Sequence, residues 1–144
     1  MLLTTTTAGV VRTVRGDVDP TELGRVYCHE HLFTSPGYAA GQPDTADLVL
    51  DDTEASAAEL DIFRRAGGGT VVDLTCEEYG RAPSRLREIS ERAGVHVVAA
   101  TGHIMEPYWR GVVDIAGRSH AELVDEMAAT SPRATPTRRR SAPV

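Results

Sequence analysis

The fold is decided by residues 70–101, in which two apolar runs, Thr70-Val71-Val72-Asp73-Leu74-Thr75 and His96-Val97-Val98-Ala99-Ala100-Thr101, flank a short helical pattern. Each run is rich in β-branched residues and reads as a strand. Between them, Pro83 suits a first helical turn, Leu86, Ile89 and Ala93 recur at helical spacing, and Gly94 stops the pattern. Strand, helix and strand in this order imply parallel pairing with a crossover helix.

The pattern extends in both directions. Upstream, Asp51 and Glu54 resemble a capping box, and Ala55, Ala58, Ile62 and Ala66 fall on one helical face with Phe63 beside them. Gly67-Gly68-Gly69 ends that helix. Gly24 to His29 reads as an earlier strand, and Val10 to Val14 as a short strand with a turn at Asp17 to Pro20. Downstream, Ser119 and Glu122 form a second capping box, and Leu123, Val124 and Met127 continue a stripe that ends near Ala129. The expected fold class is α/β, and two architectures suit this pattern: a small doubly wound sheet, or the opening portion of a (β/α)8 barrel. A closed barrel needs roughly 200 residues or more. Residues 1–130 form the α/β part, and 131–144 a disordered Pro/Arg tail with four arginines and no acid.

Composition excludes several function classes. The 144 residues carry 15 basic groups, all arginine, against 21 acidic ones, a net charge of −6. Without lysine there is no Walker A loop and no Schiff-base amine. The acidic balance argues against nucleic-acid binding. No apolar run of about 18 residues exists to span a membrane, and Met1 to Thr7 lacks the features of a secretory signal. Two cysteines make no disulfide framework, so a cytoplasmic location is expected. Gly67 to Gly69 precedes a strand, whereas a dinucleotide fingerprint follows one. No G-x-S-x-G elbow is present.

The sharpest chemical feature is His29-Glu30-His31. Residues two apart on a strand share a face, so both imidazoles can meet one ion at the strand's C-terminal end. Barrel enzymes build their sites at that end. A catalytic zinc takes three protein ligands and a water. His103 follows the third core strand at the same end and is either an improvised third ligand or a plain loop histidine, and Trp109 is loop packing or pocket wall. His96 opens its strand at the opposite end and is structural. His120 sits in a helix first turn, exposed. Cys28 alternates with His29 and should be a buried thiol. Asp73, inside an apolar strand, needs hydrogen-bond partners.

Several ordered blocks carry a wider resemblance. Val14-Arg15-Gly16, Glu22-Leu23-Gly24, His29-Glu30-His31-Leu32, Gly68-Gly69-Thr70-Val71-Val72-Asp73, Gly80-Arg81, Leu86 to Ile89 and Gly94 to Gly102 resemble the N-terminal signature of the phosphotriesterase family, within the amidohydrolase superfamily. The resemblance covers about residues 10–128. It implies a (β/α)8 barrel, here an open, partial one of about the first three βα units plus an N-terminal hairpin, with a binuclear metal centre, usually zinc, whose bridging hydroxide attacks a phosphotriester or lactone. His29 and His31 match the two strand-1 metal ligands. The loop bearing His103 and Ile104 to Trp109 matches a pocket-lining segment. The family's other ligands and its catalytic aspartate match nothing in this sequence. The expectation is therefore a truncated zinc hydrolase of small esters or lactones, inactive alone. The alternative is a non-catalytic remnant or interaction module of open α/β type, self-associating through its sheet edges.

Overall fold

The computed structural model describes residues 9–36, 47–109 and 113–131. Two short strands, β1 (Val11–Thr13) and β2 (Gly16–Val18), form an antiparallel hairpin. Its turn lies at Val14 and Arg15, where Gly16 supplies a φ of 127°, so Asp17 belongs to the second strand rather than to a turn. Arg12 Nε pairs with Asp17 Oδ1 across the hairpin at 3.0 Å. A 3-10 turn, Pro20–Glu22, follows, boxed by Asp19 and Glu22.

The main sheet contains β3 (Arg25–Glu30), β4 (Gly68–Asp73) and β5 (His96–Ala99), all parallel and in chain order. Helix α1 (Thr53–Arg65) connects the first pair and α2 (Pro83–Ala93) the second. A short helix α3 (Glu106–Trp109) and helix α4 (His120–Thr130) follow β5. This is the open, partial barrel expected from the sequence. The hairpin docks on β5, whose Val97 carbonyl accepts from Val14 N at 2.9 Å.

Both helices between strands cover one face of the sheet. Val71 and Val97, paired across β4 and β5, meet Leu60, Leu86, Ile89, Ala93 and Val95 in a single buried core. Ser90, inside this core, donates through Oγ to the Val95 carbonyl at 2.6 Å. The other face, with Val72 and Val98, is only half-buried. That is the face a closed barrel turns inward.

Helix α2 begins at Pro83 and ends at Gly94, whose φ is 70°, as read from the sequence. Helix α4 keeps its capping box: Ser119 Oγ accepts from Glu122 N, and the Glu122 carboxylate accepts from Ser119 N. Its expected apolar stripe is not buried, however, and Val124 and Met127 stay exposed.

Helix α1 departs from expectation in two ways. Asp52, not Asp51, is the cap, accepting from Glu54 N at 2.9 Å and Ala55 N at 3.0 Å. Its buried face carries Ala57 and Leu60, opposite the face of Ala55, Ala58 and Ile62, and leaves Ile62 52% exposed. Alanine occupies both faces, so periodicity alone did not select one; packing against α2 and β4 did.

The glycine run divides between two roles. Gly67, with φ 93°, closes α1, whereas Gly68 and Gly69 open β4. A side chain at Gly69 would lie 2.4 Å from the Leu23 carbonyl oxygen, so close backbone approach requires glycine there. The Gly80-Arg81 pair is structural in the same sense. A Cβ at Gly80 would meet the Ser35 backbone at 2.5 Å, and Arg81 Nε donates to the Ala100 carbonyl at 2.6 Å.

Candidate functional site

Strand β3 carries His29 near its end, and His31 lies one residue beyond it. Their ring centroids are 5.5 Å apart at an interplanar angle of 75°. The two imidazoles thus share one side of the backbone at the C-terminal end of a parallel strand. His29 is exposed and His31 half-buried.

Backbone contacts place this segment. The Glu30 carbonyl accepts from Leu74 N at 2.9 Å, tying the end of β3 to the end of β4. Asp73, fully buried, accepts from Leu32 N at 2.7 Å and from Thr75 N at 2.9 Å. These are the partners that a carboxylate inside an apolar strand needs. The Glu30 side chain accepts from His31 N at 2.9 Å.

The segment after β4 then orients the His31 ring. Thr75 Oγ1 lies 3.1 Å from His31 Nδ1, and Tyr79 stacks on the ring at 5.7 Å and 26°. Engaging Nδ1 leaves Nε2 as the nitrogen free to act as a donor. Neither Thr75 nor Tyr79 emerged from sequence reasoning. Their only signal there is position, just past a strand at the same end of the sheet.

His103 is held elsewhere. Its Nδ1 donates to Glu78 Oε1 at 2.5 Å, and its Nε2 lies 3.6 Å from Glu126 Oε1. The structure therefore surrounds this ring with carboxylates, on the side of β4 and β5, and does not gather it with His29 and His31. Among the described residues, no group of three or more His, Cys, Asp or Glu side chains converges on a possible ion. The backbone of Trp109 closes α3, and its side chain lies outside the described residues. The tail from residue 132 onward lies outside them too.

Cys28 is exposed rather than buried. The edge strand β3 is exposed on both faces from Arg25 to His29, and its register to β4 shifts between Tyr27 and Glu30. Both Tyr27 and Glu30 consequently line a groove of about 420 Å³ between β3 and α1, with His31, Leu50, Leu60 and Phe63. Cys76 is a free, half-buried thiol, and burial followed by the Glu78 charge raises its pKa. It therefore stays protonated at neutral pH and offers no thiolate nucleophile.

His96 opens β5 at the far end, as expected of a structural residue. Arg15 Nη2 donates to its Nδ1 at 3.3 Å, which requires the ring to accept and hence to be neutral there. Burial and then the Arg15 charge lower its pKa below the ordinary 6.5. On acidification the unfolded chain takes up the proton first. The stability linked to neutral His96 is present above about pH 6.5 and lost as pH falls through the folded-state value. We expect the urea midpoint to drop between pH 7 and 5, and His96→Gln to flatten that drop. An unchanged slope in the variant would exclude His96 as its source.

Known proteins resemble the chain in sequence and in fold. The sequence profile of the phosphotriesterase family matches residues 9–131. An N-acetyltaurine hydrolase of Tetraodon nigroviridis is 32% identical, the match covering 69% of this chain and 36% of that protein. The crystal structure of a lactonase from Listeria monocytogenes superposes with a TM-score of 0.67 at 36% identity, covering 74% of this chain and 32% of that one. A resiniferatoxin-binding protein from Rhodobacter sphaeroides superposes at 0.68 with 29% identity, covering 90% and 43%. The chain spans about a third of the length of the curated relatives it matches. No helix among the described residues is long and apolar enough to cross a membrane.

Proposed function

This chain belongs to the phosphotriesterase family, and on that premise we propose that the end of β3 is the first portion of a divalent-metal centre for hydrolysing an ester, lactone or amide bond of a small molecule. The observation that carries this reading is the imidazole pair, 5.5 Å between centroids, with His31 Nδ1 beside Thr75 Oγ1. With Nδ1–H donating to the Thr75 hydroxyl, the ring is held in place and Nε2 keeps its lone pair for a metal. Imidazole donors favour zinc and its transition-metal neighbours over magnesium or calcium.

Two imidazoles supply only part of a catalytic set of three. The described residues by themselves do not fit a catalytic ion, and we assign no hydrolytic step to them. The completing donors come from outside these residues, and the 144-residue chain alone is inactive. We assign the loop beyond β5, with His103 and Trp109, to substrate contact in the assembled site. The two free thiols suit a reducing compartment such as the cytoplasm.

The test is metal binding by the purified chain. Cobalt titration followed by ligand-field absorbance should show a weak site involving imidazole nitrogen. His29→Ala or His31→Ala should each lower affinity by more than about tenfold, and Thr75→Ala by about tenfold. Binding unchanged in both histidine variants would overturn the reading. Metal-loaded chain should hydrolyse paraoxon, a γ-lactone and an N-acyl amine no faster than metal alone. Turnover abolished by His29→Ala would refute inactivity.

A second reading is favoured by one observation. The outer edge strand β3 exposes Val26 at 47% and Tyr27 at 51%, beside the apolar groove under α1. An open strand with apolar side chains is a template for pairing with another chain. Under this reading the protein is an interaction module that self-associates through its sheet edges. A monomeric mass by light scattering across micromolar concentrations would exclude it.

A further inference from the structure

Helix α4 contributes no buried residue. Among the described residues its contacts with the strand layer are few, and besides the Met127 thioether near Gly102 they are polar. Thr101 Oγ1 donates to the Met127 carbonyl at 3.5 Å, and Glu126 Oε1 faces His103 Nε2 at 3.6 Å. His103 itself is firmly placed. Its side chain is 10% exposed, and Nδ1 donates at 2.5 Å to the fully buried Glu78 carboxylate, whose other oxygen accepts from Ile104 N at 3.4 Å.

We propose that His103 is a pH-responsive clasp that holds α4 against the turn carrying Glu78. A neutral ring gives its single proton to Glu78 through Nδ1, because that bond is short and buried. Its Nε2 then presents a lone pair to the Glu126 carboxylate, and the contact is repulsive. Among the described residues Nε2 has no hydrogen-bond partner. A doubly protonated ring presents an N–H to each carboxylate, and both contacts become charge-assisted. Histidine is the side chain whose charge ordinarily changes between pH 5 and 8.

The charged groups around the ring come from three elements. Glu78 belongs to the 3-10 turn Glu77–Tyr79. Glu126 lies on α4, and Arg118, in the turn before α4, is ion-paired with it. Arg81 follows the same 3-10 turn, its Nε bound to the Ala100 carbonyl and its Nη2 buried without a hydrogen-bond partner among the described residues. Glu106, on α3, is the next acid along the chain and is exposed. Arg118 gives Glu126 an alternative partner on its own side of the joint. Loss of the ring's second proton thus leaves Glu126 with Arg118 and releases α4 from the strand layer. The uncovered surface lies at the C-terminal ends of β4 and β5, the end that also carries His31. The clasp does not depend on metal binding.

Hydrogen exchange measured by mass spectrometry at pH 5.5 and 8.0 tests this on the whole chain. Rates are corrected for intrinsic pH dependence and referred to α2, whose Leu86, Ile89 and Ala93 are buried. We expect the protection of α4 relative to α2 to fall about tenfold from pH 5.5 to 8.0, the scale of one charge-assisted hydrogen bond. His103→Gln should make the ratio independent of pH. Glu126→Gln, on the helix surface, should do the same without touching the buried Glu78 contact, and decides the matter if His103→Gln does not fold. A ratio that is constant in the parent protein, or that varies equally in the Glu126→Gln variant, would overturn the clasp.

Discussion

Asp73→Ala is expected to destabilise the protein by about 3–5 kcal/mol, since it strands two buried N–H groups at about 1–3 kcal/mol each. Those groups are Leu32 N and Thr75 N, held at 2.7 and 2.9 Å by separate oxygens of one carboxylate. Both belong to the backbone, so no side-chain substitution nearby can remove the unmet demand. Asp73 is completely buried, and water cannot substitute without opening the sheet. Asp73→Asn keeps one acceptor and turns an amide N–H₂ towards the other donor, so about half the loss should remain. The same two bonds flank the candidate site, because Leu32 follows His31 and Thr75 faces its ring. Cobalt affinity should therefore weaken in Asp73→Ala under conditions where the variant is still folded. Urea melts within 1 kcal/mol of the parent would show that the buried carboxylate does not organise the two strand ends.

Gly69→Ala is expected to cost about 3 kcal/mol through overpacking. The added Cβ would stand 2.4 Å from the Leu23 oxygen and 3.1 Å from the Gly24 Cα. Both obstacles are backbone atoms, and Gly24 is itself fixed by a φ of 62°. Relief requires β3 and β4 to part where Arg25 pairs with Gly68 and Val26 with Thr70. Gly68→Ala is the informative comparison. Its Cβ would strike the Phe63 ring at 2.2 Å, and a side chain at the rim of the groove can swing aside. Thermal unfolding should therefore show the smaller loss at Gly68. Equal losses would mean that the strand backbones, too, adapt freely.

The order of elements was legible because its signals are local. Pro83 and Gly94 bracket α2 through their own backbone preferences, and Ser119 with Glu122 caps α4 within one turn. Candidate donors were legible for a similar reason: a spacing of two residues on a strand sets a common face whatever surrounds it. The expectation for Cys28 failed because β3 is an edge strand exposed on both faces from Arg25 to His29, and its register to β4 shifts twice, between Arg25 and Val26 and between Tyr27 and Glu30. A bulge answers to the neighbouring strand, and no residue type in the segment announces it.

What the sequence by itself determined is the alternation of strands and helices, the family, and the pairing of His29 with His31. Each is written in contiguous residues and their intrinsic conformational preferences. The tertiary structure alone decided which side of α1 is buried, that Thr75 and Tyr79 orient His31, and that His103 turns to Glu78 and Glu126. Those contacts join residues 23 to 48 positions apart, and their partners are chosen by how the layers pack. Burial of Glu78 is the clearest case: a carboxylate in the run Cys76-Glu77-Glu78-Tyr79 looks like a solvated turn until the folded chain brings an imidazole to it.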